Sequence, residues 1–437
     1  MIKSKYAIEL EIEDNIYAIY NNLIMKPIFV DKKFLLNINN NELTAQEIDE
    51  LKKIGYFIED STIDKKILET YENIFNSQLK DNITLMYIIP TNTCNLGCKY
   101  CFIGSLLNNQ IKMTDEILYK SIRLFNKQLN NNNNNKGTIL FYGGEPLMNF
   151  DIVKKAVEYC KLNNYNNTFS MVTNGLLINE EIADFIKENN ISVGISLDGP
   201  KELTNKNRVY KNSTIGTYDD VIEKLKVLKN KQVDFGLSIT LSKDFIKYKD
   251  AFIEWIKEID VKNISYNLLH FTDKDPEWEK YYEEASKFIY HSNNILFSSG
   301  YNEDRIKRKY DAFYNRNFKF ADCAAIGGNQ ITINPSGDID ICHGLWNNKS
   351  NHIKNILDID DLKEIKSTEQ YDFWKNNLTI NKKECLSCPA IYVCGGGCAL
   401  QAKDLFDDIR GIDRGFCVHS KLLLKYILKE VYKDSTK

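Results

Sequence analysis

The sequence carries no excess of charge of either sign: 57 Lys and Arg stand against 60 Asp and Glu, for a formal net charge of −3. Without a basic field there is no electrostatic footprint for a polyanion, so nucleic acid is not expected among the partners. No apolar run approaches the ~18 residues that a membrane span requires. The opening MIKSKYAIELEIED turns acidic within a few residues, unlike a secretory signal. A cytoplasmic protein without a membrane partner is therefore expected, in a compartment where disulfides are rare. The first 80 residues contain neither cysteine nor histidine, and so no evident chemistry. Against these absences stand eleven cysteines, unevenly placed. Cys94, Cys98 and Cys101 form one group; Cys323, Cys342, Cys385, Cys388, Cys394, Cys398 and Cys417 form another. Only Cys160 stands alone, in a helical pattern where a small buried hydrophobe is expected. Clustered soft thiolates in a reducing compartment read as metal sites, either zinc or iron–sulfur.

The 437 residues allow two to four domains at roughly 150 residues each. Residues 1–80 carry short alternating runs, IYAIY (16–20) and KPIFV (26–30), then a helical pattern from Thr44 to Ile54 and the segment YFIED. A compact α+β unit fits, acting either as a packing extension or as a peptide-binding module with an exposed strand edge. From Thr84 to about Leu269 short apolar runs recur at 84–90, 138–142, 169–173, 191–197, 235–240 and 263–269. Helical patterns lie between them near 115–129, 151–163, 179–189, 218–230 and 245–258. Six strands with intervening helices predict parallel βαβ units that close, or partly close, a barrel. Reactive groups are then expected at the C-terminal strand ends. The Asn run at 130–135 reads as a solvated loop, 276–299 as a helix, and Tyr301 to Phe320 as a polar connector. After Ala321 the chain is turn-rich, with little core of its own before a closing helix at about 419–432. Bound metal would supply much of the folding energy there.

The first strand runs straight into CNLGCKYC, which is C-x3-C-x2-C. Three thiolates can hold three irons of a [4Fe–4S] cube and leave the fourth open to a small chelating molecule, whereas three without a nearby fourth make a poor structural zinc site. This spacing, with an aromatic before the last cysteine, resembles the radical S-adenosylmethionine (radical SAM) superfamily. The second strand ends in GGEP (Gly143, Gly144, Glu145, Pro146), the third in TNG (Thr173–Gly175) and the fourth in SLDGP (Ser196–Pro200), with Arg208 shortly after. The resemblance, over residues 84 to about 270, implies that Cys94, Cys98 and Cys101 hold the cluster that cleaves S-adenosylmethionine. It implies that GGEP takes the methionine amino group, and that Thr173 and Ser196 serve the ribose and the methionine carboxylate. Arg208 would pair with that carboxylate, as guanidinium geometry favours, and Tyr100 would pack near the adenine. In the family, one electron from the reduced cluster breaks the sulfonium bond, and the 5′-deoxyadenosyl radical removes hydrogen from an unactivated C–H. An electron carrier without catalysis has no use for these sulfonium-binding motifs.

The second group reads Cys323-x13-Gly337-x4-Cys342, a gap, then Cys385-x2-Cys388-x5-Cys394-x3-Cys398-x18-Cys417. It is similar to the SPASM extension of radical SAM enzymes that modify peptides and proteins. Carried over residue by residue, Cys385, Cys388, Cys394 and Cys417 would hold one auxiliary [4Fe–4S] cluster, and Cys323, Cys342 and Cys398 another, for three clusters in all. Some relatives add an eighth cysteine where this chain reads AAIGGNQIT, which leaves one iron open or otherwise ligated. His343, beside Cys342, is a candidate ligand or base, or points away to solvent; Asp198 and Glu145 are further candidate bases.

Two members of the family compete. Anaerobic sulfatase-maturing enzymes oxidise Cys or Ser to formylglycine, using an aspartate where this chain has His343. Maturases of ribosomally made peptides (RiPPs) cross-link a Cys sulfur or a side-chain carbon to another residue, as in sactionine and ranthipeptide formation. The latter fits the seven cysteines and the N-terminal 80 residues, which look like a small winged-helix leader-recognition element. The expected organisation is thus a leader-recognition-like domain over 1–80, a partial (β/α)6 TIM-like barrel over 81–310 and a SPASM domain with a C-terminal helix over 311–437. The expected partners are a precursor peptide with its leader and an external one-electron donor of flavodoxin or ferredoxin type.

Overall fold

The computed structural model describes residues 1–78, 83–101, 103, 110–131, 136–271 and 275–436. Nine strands form one sheet: β1 (Leu85–Ile88), β2 (Gly137–Phe141), β3 (Asn167–Thr173), β4 (Ser192–Ser196), β5 (Phe235–Leu241), β6 (Asn263–Leu268), β7 (Asn302–Glu303), β8 (Gln330–Ile333) and β9 (Ile339–Asp340). Their order is β7-β6-β5-β4-β3-β2-β1-β8-β9. Every pairing is parallel except β8 with β9. The six expected strands are present in sequence order, each followed by a helix, as right-handed βαβ connections dictate. They do not close on themselves: among the described residues β7 extends one side of the six and β8 the other.

Alternation along the strands explains the layers. In β5, Phe235, Leu237, Ile239 and Leu241 are buried, while Gly236, Ser238 and Thr240 are half-buried on the other face. The period of two sends the apolar set under the helices and leaves small or polar residues opposite. Register places Ser196 of β4 beside Ser238 of β5. Cys160, in the helix Phe150–Leu162, is buried in this core as expected.

Three expectations are corrected. The connector after Tyr301 contains β7 and a helix, Asp304–Tyr314, whose first turn is capped by the Glu303 carboxylate at 2.7 Å from the Ile306 N–H. Its buried face carries Ile306, Lys309, Ala312 and Phe313; a lysine in the middle of the stripe hid the helical period. The boundary expected after residue 310 falls inside this helix. Second, the region after Ala321, expected to have little core of its own, shares that of the large sheet. It contributes Ile331, Ile333, Ile339 and Ile341 to the core of the large sheet, because β8 inserts beside β1. Third, the closing helix starts earlier, at Arg414, with Asp413 accepting the Phe416 N–H at 2.9 Å, so that it includes Cys417. The Asn run is helical at residues 130 and 131; positions 132–135 lie outside the described residues, as does the boundary expected after residue 80.

The N-terminal residues form an antiparallel three-stranded sheet (Ala7–Glu13, Ile16–Asn21, Ile28–Asp31) with helices Lys32–Asn40, Ala45–Lys53 and Ser61–Gln78. A capping box between Thr44 and Glu47 sets the start of the middle helix. This unit packs on the C-terminal region: Tyr20 and Leu23 share an apolar cluster with Phe313, Phe320, Tyr392, Leu424 and Leu428. Among the described residues no helix is long and apolar enough to cross a membrane.

Candidate active site

The Cys94–Cys101 loop follows β1 and hangs between two neighbours. On one side the Thr93 carbonyl accepts the Glu145 N–H at 2.8 Å; on the other, Gly97 N–H donates to Val209 O at 2.9 Å and Lys99 N–H to Asn207 O at 3.0 Å. Cys94 and Cys98 are half-buried and Cys101 is exposed. Burial pushes the Cys94 thiol up to about 12, and charge on Glu145, Cys98 or Cys101 pushes the same way. Burial also raises Cys98, with the Arg208 guanidinium opposing.

The ends of β2 and β3 are tied by Glu145. Its carboxylate is buried and accepts from Thr173 Oγ1 at 2.5 Å, Asn174 N–H at 2.8 Å and Leu147 N–H at 3.0 Å. Gly143 sits at φ 120°, and a Cβ on Gly144 would come 2.1 Å from the Thr93 carbonyl oxygen; only glycine lets this turn reach the cysteine loop. Asn174, which the motif reading passed over, donates to Asn95 Oδ1 at 2.7 Å and points its amide at Cys94 Sγ, 3.9 Å away. A side-chain amide beside a thiolate is visible only once β3 is docked.

Arg208 is buried against Asp198. Its Nε donates to Asp198 Oδ2 at 2.9 Å and Nη2 to Oδ1 at 3.1 Å, while Nη1 faces Cys98 Sγ at 3.9 Å. Asp198 also accepts the Thr240 N–H at 3.1 Å and the Tyr100 hydroxyl. Both oxygens thus accept hydrogen bonds from within the chain. The guanidinium lies 5.6 Å from the Tyr100 ring centroid. Burial holds the Tyr100 phenol well above its usual range, and the neighbouring Asp198 carboxylate keeps Arg208 charged against its own burial. Ser196 is half-buried at the end of β4.

The other seven ligand candidates fall into two sets. Charge on Cys385, Cys388 and Cys394 acts on Cys417, and charge on Cys323 and Cys398 acts on Cys342. Burial, the leading cause, pushes Cys385 up to about 11 and both Cys398 and Cys417 up to about 12. Between the first loop and the second set lies an aromatic wall. His343 stacks on Tyr87 at 4.5 Å and 6°, and meets Tyr142 edge-on at 5.2 Å. Tyr142 feels the charges of both Cys101 and Cys342. Burial drives the His343 imidazole down to about 4, so it is neutral, and its Nδ1 has no partner among the described residues. His343 therefore turns inward, not to solvent.

Each cysteine set contains at least one sulfur that accepts a backbone N–H two residues on, among them Leu96 to Cys94, Gly344 to Cys342 and Gly396 to Cys394, all at 3.4 Å. Such donors stabilise a metal-bound thiolate and tune its cluster. Buried thiols that resist ionising alone fit a site where a cation supplies the missing charge. Among the described residues no three His, Cys, Asp or Glu side chains converge closely enough to enclose a single metal ion.

Comparison with known proteins agrees with this geometry. Residues 88–256 match the Radical SAM superfamily. The radical SAM cyclopropyl synthase TigE of Paramaledivibacter caminithermalis is 25% identical over 96% of this chain and 90% of its own. An uncharacterised protein of Methanocaldococcus jannaschii, MJ0907, is 30% identical over 60% of this chain and 85% of its own. The cysteine-type anaerobic sulfatase-maturating enzyme of Clostridium perfringens is 27% identical over 72% and 88%. Among solved structures, anSMEcpe with bound AdoMet (S-adenosylmethionine) superposes with a TM-score of 0.70 at 22% identity, over 80% of this chain and 95% of that one. Streptococcus suis SuiB bound to its precursor peptide SuiA gives 0.54 at 15% identity, over 95% and 99%.

Proposed function

Because this chain belongs to the radical SAM superfamily and is a radical SAM enzyme, we propose that it matures a ribosomally made precursor peptide by installing a thioether or carbon cross-link. The observation that carries this reading is extent. The likenesses to TigE and to SuiB, which is named with its precursor peptide, run over 96% and 95% of the chain. The likeness to the sulfatase maturase spans 72%. The cyclopropyl synthesis for which TigE is named favours a carbon–carbon bond over a sulfur–carbon one.

When bound, S-adenosylmethionine and its cluster supply the radical that removes a hydrogen atom, and auxiliary clusters on the seven C-terminal cysteines supply an acceptor for the electron left behind. The chain's own groups do the rest. Gly143 and Gly144 let backbone approach the amino group of the methionine moiety, while Glu145 fixes the β2 and β3 ends that flank it. Arg208, aimed by Asp198 and Tyr100, offers its Nη1 edge to an anionic group beside Cys98. Tyr87 and Tyr142 keep water from the gap between the cysteine sets. His343 Nδ1 takes the proton of the second hydrogen lost as the cross-link closes. A leader segment adds to the N-terminal sheet at its Ile28–Asp31 edge, which among the described residues is paired on one side only.

The test is anaerobic co-expression with each short peptide encoded nearby, read by tandem mass spectrometry. Paired hydrogen loss with fragmentation blocked between two residues is the expected result. Unchanged peptides, with a Cys or Ser of a sulfatase converted to an aldehyde, would establish formylglycine formation instead, the reading favoured by the TM-score of 0.70 to anSMEcpe.

A further inference from the structure

The Asp304–Tyr314 helix turns a buried lysine into the seam between the two C-terminal cysteine sets. Lys309 is 3% exposed. Its ammonium donates to the Cys394 carbonyl at 2.6 Å and to Asp322 Oδ1 at 3.2 Å, and stands 5.0 Å over the Phe416 ring. Asp322 directly precedes Cys323, and its N–H donates to the Gly395 carbonyl at 2.8 Å. The approach to one set is thus hydrogen-bonded to the exit from the other. A Cβ on Gly395 would come 2.4 Å from the Asp322 nitrogen, so the seam is closed to backbone contact.

The pair is oriented across this seam. Lys309 binds the carbonyl of Cys394 itself at 2.6 Å, whereas Asp322 is the chain neighbour of Cys323 and is also approached by Arg308 at 3.6 Å. An apolar side chain of similar volume fills such a place at lower desolvation cost, so packing alone does not call for an ammonium.

Resting on the reading that the seven cysteines hold two clusters, we propose that Lys309 and Asp322 are positioning residues for electron flow. The ammonium raises the reduction potential of the outer cluster, on Cys385, Cys388, Cys394 and Cys417, and the carboxylate lowers that of the inner cluster, on Cys323, Cys342 and Cys398, the set facing the first loop across Tyr142. One electron, left on the substrate as its second hydrogen departs as a proton, then runs from the inner cluster to the outer one. From there it passes to an external one-electron acceptor of flavodoxin or ferredoxin type.

The experiment is an anaerobic redox titration followed by electron paramagnetic resonance on the iron-loaded full chain, wild type and variants. Lys309→Met is expected to move the outer potential negative, with about a tenfold fall in the reduced-to-oxidised ratio at fixed potential, ~59 mV for one electron. Asp322→Asn is expected to move the inner potential positive. A merely structural role does not produce shifts of opposite sign. If Lys309→Met loses its cluster, Asp322→Asn decides alone. Full iron and sulfide with unmoved potentials overturns the proposal and leaves the peptide maturase standing. Wild-type protein that binds iron and sulfide for the Cys94 set only overturns both the two-cluster reading and the proposal.

Discussion

Replacing Asp198 by Asn leaves a buried guanidinium without its counter-ion. Asp198 is fully buried and Arg208 is 7% exposed. The carboxylate accepts two bonds from Arg208, at 2.9 and 3.1 Å, one from the Thr240 amide at 3.1 Å and one from Tyr100. Asparagine has one acceptor oxygen where this network uses two, and its NH2 would face either the guanidinium or the Thr240 N–H. Breaking a buried ion pair from one side costs ~3–5 kcal/mol. Tyr100→Phe removes only a hydrogen bond to the same carboxylate, worth ~1.5–3 kcal/mol when one partner is charged. The expectation is a loss of about 3 kcal/mol or more for Asp198→Asn, and a smaller one for Tyr100→Phe. Because Nη1 of Arg208 lies 3.9 Å from Cys98 Sγ, reorientation reaches the cysteine loop, and cleavage of S-adenosylmethionine should fall at least tenfold. The assay is anaerobic urea unfolding of iron-loaded protein, with 5′-deoxyadenosine formation measured on the same samples. Equal urea midpoints for the two variants, with wild-type cleavage in Asp198→Asn, would refute the reasoning.

Three further outcomes are expected. Gly144→Ala puts a methyl group 2.1 Å from the Thr93 oxygen; the loop must shift, and iron retained by the Cys94 set should fall while the C-terminal iron stays, as Mössbauer spectra of reconstituted protein would register. His270, held down to about 4 by burial, stays neutral in the folded chain while an unfolded histidine takes its proton near 6.5. Stability from this group is therefore full above about pH 6.5 and lost as pH falls toward 4, by up to ~3 kcal/mol at ~1.4 kcal/mol per unit. His270→Gln should flatten that acid limb in urea titrations, and an unchanged slope would count against it. Iron and sulfide loading of the apoprotein should release about one proton per ligating thiol whose neutral form burial favours, Cys94 and Cys417 among them. Proton uptake or none in a weakly buffered titration would contradict this.

The strand and helix order was legible because it rests on local periodicity: in β5 the alternation of buried and half-buried residues is the alternation of the letters FGLSITL. The Asp304–Tyr314 helix was not, since Lys309 sits where the apolar stripe should continue, and its partners come from residues 322 and 394. The surroundings of Asp198 were hidden for the same reason: its partners come from distant parts of the chain. As a strand-end carboxylate it could serve as a base; the fold spends both its oxygens on Arg208, Thr240 and Tyr100.

By itself the sequence determined which residues can carry chemistry. Thiol spacing within CNLGCKYC, the glycines of GGEP and the parallel βαβ alternation are properties of a few neighbouring residues, and no folding is needed to see them. Only the tertiary structure decided which charges face which sulfurs. Burial multiplies the strength of a charge, and a residue's burial depends on every segment that packs over it. The Glu145 link to Asn174, the His343 stack on Tyr87 and the Lys309 contact with Cys394 each join residues far apart in the chain. They exist only because β3, β1 and the late helix arrive at the same place.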